Sequence, residues 1–324
     1  MKAWRVTQIT ESGDMRLEDV PTPVPGAGQY LVRVEAAGVN FLDTLMIRGR
    51  YQKKPPLPFT PGVECAGTIL AAGEGCTLAP GARVLGSVDT GGYADCALMS
   101  ARAALEVPEG MAAADAMTLL GVNYPTSHYA LHDRAGLRAG ETVLVHAAAG
   151  GVGSAAVQLA KAAGARVIAT AGSAEKLEVC RRLGADEAIS YAGGDWVEQV
   201  RALTGGRGAD VIYDPVGGEV GEQSLRVLAW RGRYLVIGFA AGGIPKLAAN
   251  RLLLMNAAAI GVFWGEVLNR EPATGAAVRA ALVSLYRQGV VPPLIGGRYK
   301  LEDAPAALAA LAGRATVGKL VLEP

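Results

Sequence analysis

A glycine-rich segment, Ala147-Ala-Ala-Gly-Gly-Val-Gly153, contains residue types that can bind a phosphate group. Gly150 lets the backbone approach a pyrophosphate, and Gly153 leaves room for a helix to pack tightly on a strand. Ala148 stands where the G-x-G-x-x-G fingerprint has its first glycine, so its methyl group is tolerated only if the residue keeps a negative φ. Taken alone, the segment also fits an ordinary tight turn between a strand and a helix.

The residues around this turn predict the elements that must position it. Residues 141–146 form a short apolar and β-branched run, which is typical of a strand buried on both faces. Gly164 ends the helix that follows the turn, and residues 166–170 predict a second strand. The apolar residues of that helix recur with helical spacing at Val152, Ala155, Ala156, Leu159, Ala160 and Ala163. A strand, a glycine turn, a helix and a strand in this order bind a dinucleotide pyrophosphate at the helix N-terminus.

The end of the second predicted strand indicates which dinucleotide is bound. An NAD site has an acidic residue there, which accepts a hydrogen bond from the ribose 2′-hydroxyl, but this chain has Ala171. Ser173 can donate to a phosphate, Lys176 can neutralise one, and Tyr191, after the next short strand, can add a hydroxyl. These residue types favour NADPH over NADH. A surface turn with a solvated lysine is the alternative interpretation.

The chain contains two regions with different sequence patterns. Residues 1–120 have short alternating or β-branched runs between Pro and Gly clusters, which predicts a small all-β barrel. From residue 141 onward, strands and helices alternate, which predicts an α/β domain with a doubly wound parallel sheet. The predicted strands of that sheet are residues 141–146, 166–170, 186–191, 210–214, 233–238 and 259–263.

Length and composition exclude several classes of protein. A chain of 324 residues is long for a single core and indicates two domains. Hydrophobic residues make up 51% and charged residues 19%, which is typical of a globular protein and not of a disordered one. The net charge of +1 provides no global field that would attract nucleic acid or an anionic membrane.

The location of the protein is also expected from the sequence. Apolar runs are too short to span a bilayer, and the N-terminus lacks the apolar core of a signal peptide, so we expect a cytoplasmic protein without a membrane partner. The cysteines lack C-x-x-C spacing and are expected to be free thiols in a reducing compartment. They are Cys65, Cys76, Cys96 and Cys180.

Several motifs, spread over nearly the full length of the chain, form a specific combination. They are residues 36–43, 48–51, 61–67, 148–153, 183–186 and 213–218. Together they resemble the zinc-independent quinone oxidoreductases of the medium-chain dehydrogenase/reductase superfamily, a group that includes zeta-crystallin. The resemblance implies a GroES-like β-barrel catalytic domain over residues 1–122, completed by 265–324, and a Rossmann NADPH-binding domain over residues 123–264. It also implies a homodimer, with the edge strand at residues 259–263 as the candidate contact.

The resemblance further implies which residues act on the substrate. It points to Asn40, Asp43 and Tyr51 near the nicotinamide and the substrate, with Thr126 against the nicotinamide face. Asn40 is expected to orient the substrate or the carboxamide, and Tyr51 to donate to the oxyanion that develops on the acceptor. Asp43 is expected to be an exposed, ionised carboxylate that orients its neighbours. The alternatives are a turn residue for Asn40, a loop aromatic for Tyr51 and a helix cap for Asp43.

The remaining cofactor contacts implied by the resemblance fall into three groups. The pyrophosphate group consists of Ala149, Gly150, Gly151 and Val152. The adenosine phosphate group consists of Gly172, Ser173, Lys176 and Tyr191. The nicotinamide group, besides Asn40 and Thr126, consists of Gly238, Phe239, Val262 and Phe263. Most of these residues follow predicted parallel strands, whose carboxyl ends are where ligands bind in such sheets.

The residues at the positions that bind zinc in related enzymes predict no metal here. A catalytic zinc needs about three Cys, His or carboxylate ligands, and a structural zinc needs about four thiolates. The zinc-dependent branch of the superfamily has a Cys in the segment matching residues 38–41, and a Gly-His-Glu where this chain has Gly62-Val63-Glu64. His128 and His132 share a helical face, but no Glu follows the first, so the H-E-x-x-H motif is absent.

We therefore expect a reductase that transfers hydride from NADPH to quinones or α,β-unsaturated carbonyls without zinc. Its task would be to position the nicotinamide against the acceptor and to exclude water. An enoyl-thioester reductase is the alternative, although the sequence shows no basic cluster suited to the phosphate of an acyl carrier. A non-catalytic NADPH-binding protein, like some lens crystallins, is a third candidate. Binding of nucleic acid is not expected, because the chain does not interleave basic and aromatic residues.

Overall fold

The computed structural model of the chain describes residues 1–191 and 193–324. Its strands are β1 (Lys2–Arg5), β2 (Arg16–Asp19), β3 (Gln29–Val39), β4 (Glu64–Ala72), β5 (Arg83–Ser87), β6 (Cys96–Ser100), β7 (Leu105–Glu106), β8 (Thr142–Val145), β9 (Arg166–Ala171), β10 (Glu187–Ser190), β11 (Ala209–Asp214), β12 (Leu228–Val236), β13 (Ala258–Gly261), β14 (Ile295–Lys300) and β15 (Lys319–Glu323). Its helices are α1 (Phe41–Met46), α2 (Ala113–Leu120), α3 (Asn123–His128), α4 (Gly151–Ala162), α5 (Ala174–Arg182), α6 (Trp196–Leu203), α7 (Gly218–Ser224), α8 (Ala249–Met255), α9 (Trp264–Arg270), α10 (Pro272–Arg287) and α11 (Ala304–Ala312). A π-helical segment, Tyr129–Arg134, continues α3, and a 3₁₀ turn, Leu301–Asp303, precedes α11. Within the described residues, no helix combines the length and the apolar character needed to cross a bilayer.

The chain folds into two compact units, of which the first contains Met1–Val122 and Ile295–Pro324 and the second Asn123–Leu294. Residues 265–294, which we expected to complete the barrel, cluster with the second unit instead. The physical reason is that α10 packs against α3 and α9. In addition, the Tyr124 hydroxyl donates a hydrogen bond of 3.1 Å to the Pro292 carbonyl. The chain thus leaves the second unit after Leu294, thirty residues later than the expected boundary at 264.

The first unit is a β-barrel organised around its longest strand. The order of its main sheet is β14-β15-β3-β4-β5-β7, and β6 also pairs with β3. The antiparallel pairing of β3 with β4 is shifted between Val34 and Ala36. At this irregularity, a Cβ atom at position 67 would lie only 1.8 Å from the Arg33 carbonyl oxygen, so the close approach requires Gly67. The predicted GroES-like barrel is confirmed, and the C-terminal segment contributes β14 and β15 to it.

The second unit contains a parallel sheet with the strand order β10-β9-β8-β11-β12-β13. This is the 3-2-1-4-5-6 order of doubly wound dinucleotide-binding folds. Helices cover both faces of such a sheet, which explains why every residue of β8 is buried and why its sequence is a continuous apolar run after Thr142. The predicted Rossmann fold is confirmed, including the strand, turn, helix and strand formed by β8, α4 and β9.

Candidate functional site

The carboxyl ends of the parallel strands bring together the residues that were predicted to bind the dinucleotide in the second unit. They follow one another along this edge in the order of the strands, from β10 to β13. Tyr191 follows β10, and Gly172, Ser173 and Lys176 follow β9. Residues 149–152 follow β8, Gly238 and Phe239 follow β12, and Val262 and Phe263 follow β13. Ligands of open parallel sheets bind at this edge, where the strand order reverses. The order across the edge fits an extended ligand, with its adenosine end near β10 and its other end near β13.

The glycine turn after β8 has the geometry that an anion-binding helix N-terminus needs. Gly150 is the N-cap of α4, and the first N–H groups of a helix have no partner within it. A Cβ atom at Gly153 would lie 2.3 Å from the Ala147 carbonyl oxygen, which confirms that this glycine permits close packing. Ala148 lies outside the left-handed region, as its methyl group requires, whereas Ala147 adopts a left-handed φ of 46°. The left-handed residue, Ala147, is therefore one position before Ala148, where the fingerprint has its first glycine.

The start of α5 contains the residues expected at the adenosine phosphate. Ser173 is the N-cap of this helix and accepts a 3.4 Å hydrogen bond from the Lys176 backbone N–H. Its hydroxyl donates to the carboxylate of Glu175 at 3.1 Å. Partial burial lowers the pKa of the Lys176 ammonium. Ala171, at the end of β9, is buried, so the strand end offers no carboxylate to a ribose 2′-hydroxyl.

Tyr191 follows β10, but its hydroxyl points beneath the glycine turn. It accepts a hydrogen bond of 3.1 Å from the Ala147 backbone N–H and lies 3.1 Å from His146 Nδ1. The hydroxyl that we expected at the adenosine phosphate is thus engaged inside the second unit. Direct contact between this hydroxyl and a phosphate stays a prediction.

Residues at the ends of β11 and β12 support the carboxyl edge of the parallel sheet, and the sequence did not reveal this supporting role. The buried Asp214 carboxylate accepts hydrogen bonds from the backbone N–H groups of Val216, at 2.7 Å, and Gly217, at 3.0 Å, and from the Tyr234 hydroxyl. Phe239 remains 37% exposed after β12 and packs against Gly217. Asp214 was part of a recognised motif, so the motif indicated its position without indicating its function.

In the first unit, the end of β3 carries a buried polar cluster that includes Asn40. The Asn40 Nδ2 donates to Glu64 Oε1 at 2.8 Å, and its Oδ1 accepts a hydrogen bond from the Lys319 ammonium. Lys319 also donates to Glu64, and the side chains of both charged residues are only 2% exposed. The Asn40 side chain is therefore held by internal partners, and its contact with a substrate or a carboxamide stays a prediction.

The strand order explains why these three residues meet. The flanking strands β15 and β4 pair with β3, so that Leu320 lies opposite Val39 and Cys65 lies opposite Ala37. Lys319 and Glu64, the first residues of the flanking strands, consequently lie beside the residue that follows β3. Sequence reasoning missed Lys319, although a lysine next to the apolar run of residues 320–322 was a usable signal.

Asp43 is fully buried, so the expectation of an exposed carboxylate is wrong. Its Oδ2 accepts hydrogen bonds from the Asn40 backbone N–H, at 2.8 Å, and from the Tyr93 hydroxyl, at 3.0 Å, which agrees with the alternative role of a helix cap. Its Oδ1 has no hydrogen-bond partner among the residues that the structure describes. Burial raises the pKa of Asp43 to about 7, against the lowering effects of these hydrogen bonds and of the Lys319 charge. The carboxyl group therefore changes its charge near neutral pH.

Tyr51 and Thr126 complete the predicted site residues. Tyr51 is partly buried and packs against the core of the barrel. Burial, and then the negative charge of Asp43, raise the pKa of the Tyr51 phenol, so it is a hydrogen-bond donor at neutral pH. The first unit thus brings Asn40, Asp43 and Tyr51 into one region. Thr126 lies on α3 in the second unit and is buried.

The side chains that could ligate a metal ion are dispersed in the described part of the chain. Within residues 1–191 and 193–324, no group of three or more His, Cys, Asp or Glu side chains is arranged to hold a metal ion. The rings of His128 and His132 lie 4.4 Å apart, and burial lowers the pKa of His128 to about 4. The absence of zinc stays a prediction. Elemental analysis of protein purified without chelators checks it, and a stoichiometric amount of zinc would contradict it.

Comparisons with known proteins cover both units. The family model described as alcohol dehydrogenase GroES-like domain matches residues 26–109, and the model described as zinc-binding dehydrogenase matches residues 151–282. Quinone oxidoreductase-like protein 2 of Rattus norvegicus is 38% identical over 307 residues, which are 94% of this chain and 87% of the relative.

Solved structures are similar over the whole chain. The quinone oxidoreductase from Thermus thermophilus, whose complex with NADPH has also been solved, is 37% identical, with a TM-score of 0.85 and coverage of 100% of both chains. The CurK enoyl reductase is 28% identical, with a TM-score of 0.88 and coverage of 99% of this chain and 98% of the other.

Proposed function

This chain belongs to the quinone oxidoreductase family of the medium-chain dehydrogenase/reductase superfamily, and on that basis we propose that it uses NADPH to reduce quinones or α,β-unsaturated carbonyls. The observation that carries the proposal is the carboxyl edge of the parallel sheet. There a glycine turn opens onto α4, and a serine and a lysine stand at the start of α5, just after the strand end where an NAD site would have a carboxylate and this chain has Ala171. The similar quinone oxidoreductase from Thermus thermophilus, whose complex with NADPH has been solved, supports the choice of cofactor.

The residues at this edge fit an NADPH molecule. The absence of side chains at Gly151 and Gly153 lets the first turn of α4 pack closely on its surroundings, since a Cβ atom would lie 2.4 Å from Asn123 Nδ2 at Gly151 and 2.3 Å from the Ala147 carbonyl oxygen at Gly153. The N-terminus of α4 would hold the pyrophosphate, and Lys176 would neutralise the 2′-phosphate. When bound, NADPH supplies the hydride. In the first unit, Tyr51 would donate a hydrogen bond to the developing oxyanion, and Asn40, fixed by Glu64 and Lys319, would keep the surrounding backbone in place.

An enoyl-thioester reductase is the second candidate, because the structural similarity to the CurK enoyl reductase extends over the whole chain. The structure contains a basic cluster that the sequence did not reveal, around a groove of about 650 Å³. Its arginines are Arg201, Arg207, Arg226 and Arg251. However, Arg207 and Arg226 precede β11 and β12, so the groove lies at the amino ends of these strands, opposite the candidate cofactor edge. This placement makes the groove unsuited to the phosphate of a thioester at that edge.

A panel of acceptors tests the proposal. Oxidation of NADPH and of NADH is measured side by side with ortho- and para-quinones, short enones and a crotonyl thioester. We expect NADPH-selective turnover of the quinones or enones. Selective turnover of the thioester would support the second candidate. Tight binding of NADPH without turnover of any acceptor would indicate a non-catalytic cofactor-binding protein.

Replacing Lys176 by alanine tests the assignment of the 2′-phosphate site. We expect Lys176→Ala to weaken NADPH binding roughly 10- to 100-fold, because a charge-assisted hydrogen bond contributes about 1.5–3 kcal/mol. NADH binding should stay nearly unchanged. The dissociation constants can be measured by nicotinamide fluorescence, with the exposed Lys246→Ala as the matched control. An equal loss for both dinucleotides would show that Lys176 does not contact the 2′-phosphate.

We also propose that the protein is a homodimer, with β13 and α8 at its interface. β13 lies at one end of the parallel sheet, which leaves its outer edge available for pairing. On α8, Leu253 is 76% exposed and Leu254 is 70% exposed. We expect Leu253→Asp/Leu254→Asp to convert a dimer to a monomer in light scattering, whereas Val24→Asp, at a residue that is 85% exposed in the first unit, should not. A monomeric wild-type protein would contradict the proposal.

A further inference from the structure

His146 lies between β8 and the glycine turn, and both of its ring nitrogens have side-chain partners. The residue is fully buried. Its Nδ1 lies 2.9 Å from the Thr170 hydroxyl and 3.1 Å from the Tyr191 hydroxyl, and its Nε2 lies 2.9 Å from the Ser224 hydroxyl. Thr170 belongs to β9, Tyr191 follows β10 and Ser224 ends α7. One imidazole ring thus connects elements along the candidate cofactor edge.

Neighbouring hydrogen bonds determine the direction of the Ser224 and Tyr191 contacts. Ser224 donates its proton to the Val220 carbonyl at 2.7 Å, so its oxygen accepts from His146 Nε2–H. Burial lowers the pKa of His146 to about 4, so the ring is neutral and its Nδ1 is an acceptor. Thr170 donates to the Tyr191 oxygen at 2.6 Å, which leaves the Tyr191 proton for His146 Nδ1.

This chain of hydrogen bonds ends on the backbone of the glycine turn. The Tyr191 oxygen accepts the Ala147 N–H at 3.1 Å, and Ala147 has the left-handed φ of 46° that favours glycine. The Ala147 carbonyl in turn accepts the Gly150 N–H at 2.9 Å and lies against Gly153. The orientation of the Ala147 peptide therefore sets where the N-terminus of α4 begins.

We infer that His146 is a positioning residue of the dinucleotide site, which acts through Tyr191 to hold Ala147, and with it the pyrophosphate-binding turn, in its left-handed conformation. The inference rests on the proposed function, since it requires that this turn bind the pyrophosphate. Because the pyrophosphate is common to both dinucleotides, the role of His146 differs from that of Lys176. Loss of His146 should weaken NADPH and NADH alike.

Asparagine and glutamine at position 146 can each replace one of two hydrogen bonds of the His146 ring, the bond of Nδ1 with Tyr191 or the bond of Nε2 with Ser224. Asparagine places an acceptor near the position of Nδ1 and keeps the hydrogen bond with Tyr191, but it cannot reach Ser224. Glutamine places a donor near the position of Nε2 and keeps the hydrogen bond with Ser224, but it leaves the Tyr191 hydroxyl proton without its acceptor. Both variants lose the edge contact between the His146 ring and Trp196, whose centroids lie 5.0 Å apart, so each serves as the control for the other.

The experiment measures dissociation constants of NADPH and NADH by nicotinamide fluorescence, without an acceptor, together with the ligand-free melting temperature. We expect His146→Gln and Tyr191→Phe each to weaken both dinucleotides about ten-fold, the effect of roughly one hydrogen bond. His146→Asn should remain within about three-fold of the wild type. The double variant His146→Gln/Tyr191→Phe should bind no more weakly than either single variant, because both changes break the same chain.

The outcomes distinguish the inference from the proposed function. Wild-type affinity in His146→Gln, equal losses in the Asn and Gln variants, or additive losses in the double variant would overturn the positioning role. A loss confined to NADPH would also overturn it. Failure of the wild-type protein to bind either dinucleotide would overturn the proposed function, and the inference with it. If His146→Gln does not fold, Tyr191→Phe and His146→Asn carry the comparison.

Discussion

Replacing Lys319 by methionine is expected to lower the free energy of unfolding by about 3–5 kcal/mol. The reason is that the Glu64 carboxylate, whose side chain is only 2% exposed, would lose the Lys319 ammonium, its charged partner in this buried site. The Asn40 amide, 2.8 Å from Glu64 Oε1, can solvate this charge only in part. A Cβ atom at Gly38 would lie 2.2 Å from the same carboxylate oxygen, so the packing around it leaves little room for rearrangement.

Denaturant unfolding measures this effect, and two further variants test its cause. Lys319→Met/Glu64→Gln should recover most of the lost stability, because no unpaired charge remains. Lys2→Met is the matched control, since the Lys2–Glu302 pair is about half exposed on both sides, and exposed pairs contribute little to stability. If Lys319→Met lowers the free energy of unfolding no more than Lys2→Met does, the buried pair is not important for stability.

Asp43→Asn is expected to become more stable relative to the wild type as the pH rises from about 4 to 7. The pKa of Asp43 is 3.8 in its reference state and about 7 in the folded protein, so the folded state binds more protons across this interval. Stability that is fully present below pH 3.8 is therefore lost as the pH rises through 7. The total change corresponds to a shift of about three pKa units, on the order of 4 kcal/mol.

The measurement is the difference in free energy of unfolding between wild type and Asp43→Asn at several pH values from 4 to 8. The pKa values of His128 and His146 are lowered to about 4 by burial, so they contribute stability that is lost as the pH falls from 6.5 to 4. Because both proteins contain these histidines, their contribution cancels in the difference. A difference that stays constant across the whole interval would show that Asp43 does not titrate near neutral pH in the folded protein.

The sequence by itself determined the features that depend on residues close together in the chain. The turn at residues 147–153 was recognisable because glycine positions and apolar spacing encode a strand, a turn and a helix locally. The grouping of site residues at one edge was also predictable, because the carboxyl ends of parallel strands lie on the same side of a sheet. The family motifs extended this prediction to the barrel and to the overall α/β fold.

Only the tertiary structure decided which polar side chains are buried and which partners they have. Lys319 reaches Asn40 and Glu64 because β15 pairs with β3, although 279 and 255 residues separate it from them in the sequence. The burial of Asp43 has the same origin, since Tyr93 contacts it from 50 residues away. The pKa and the orientation of such groups depend on neighbours that long-range strand pairing supplies, and local sequence patterns do not encode those neighbours.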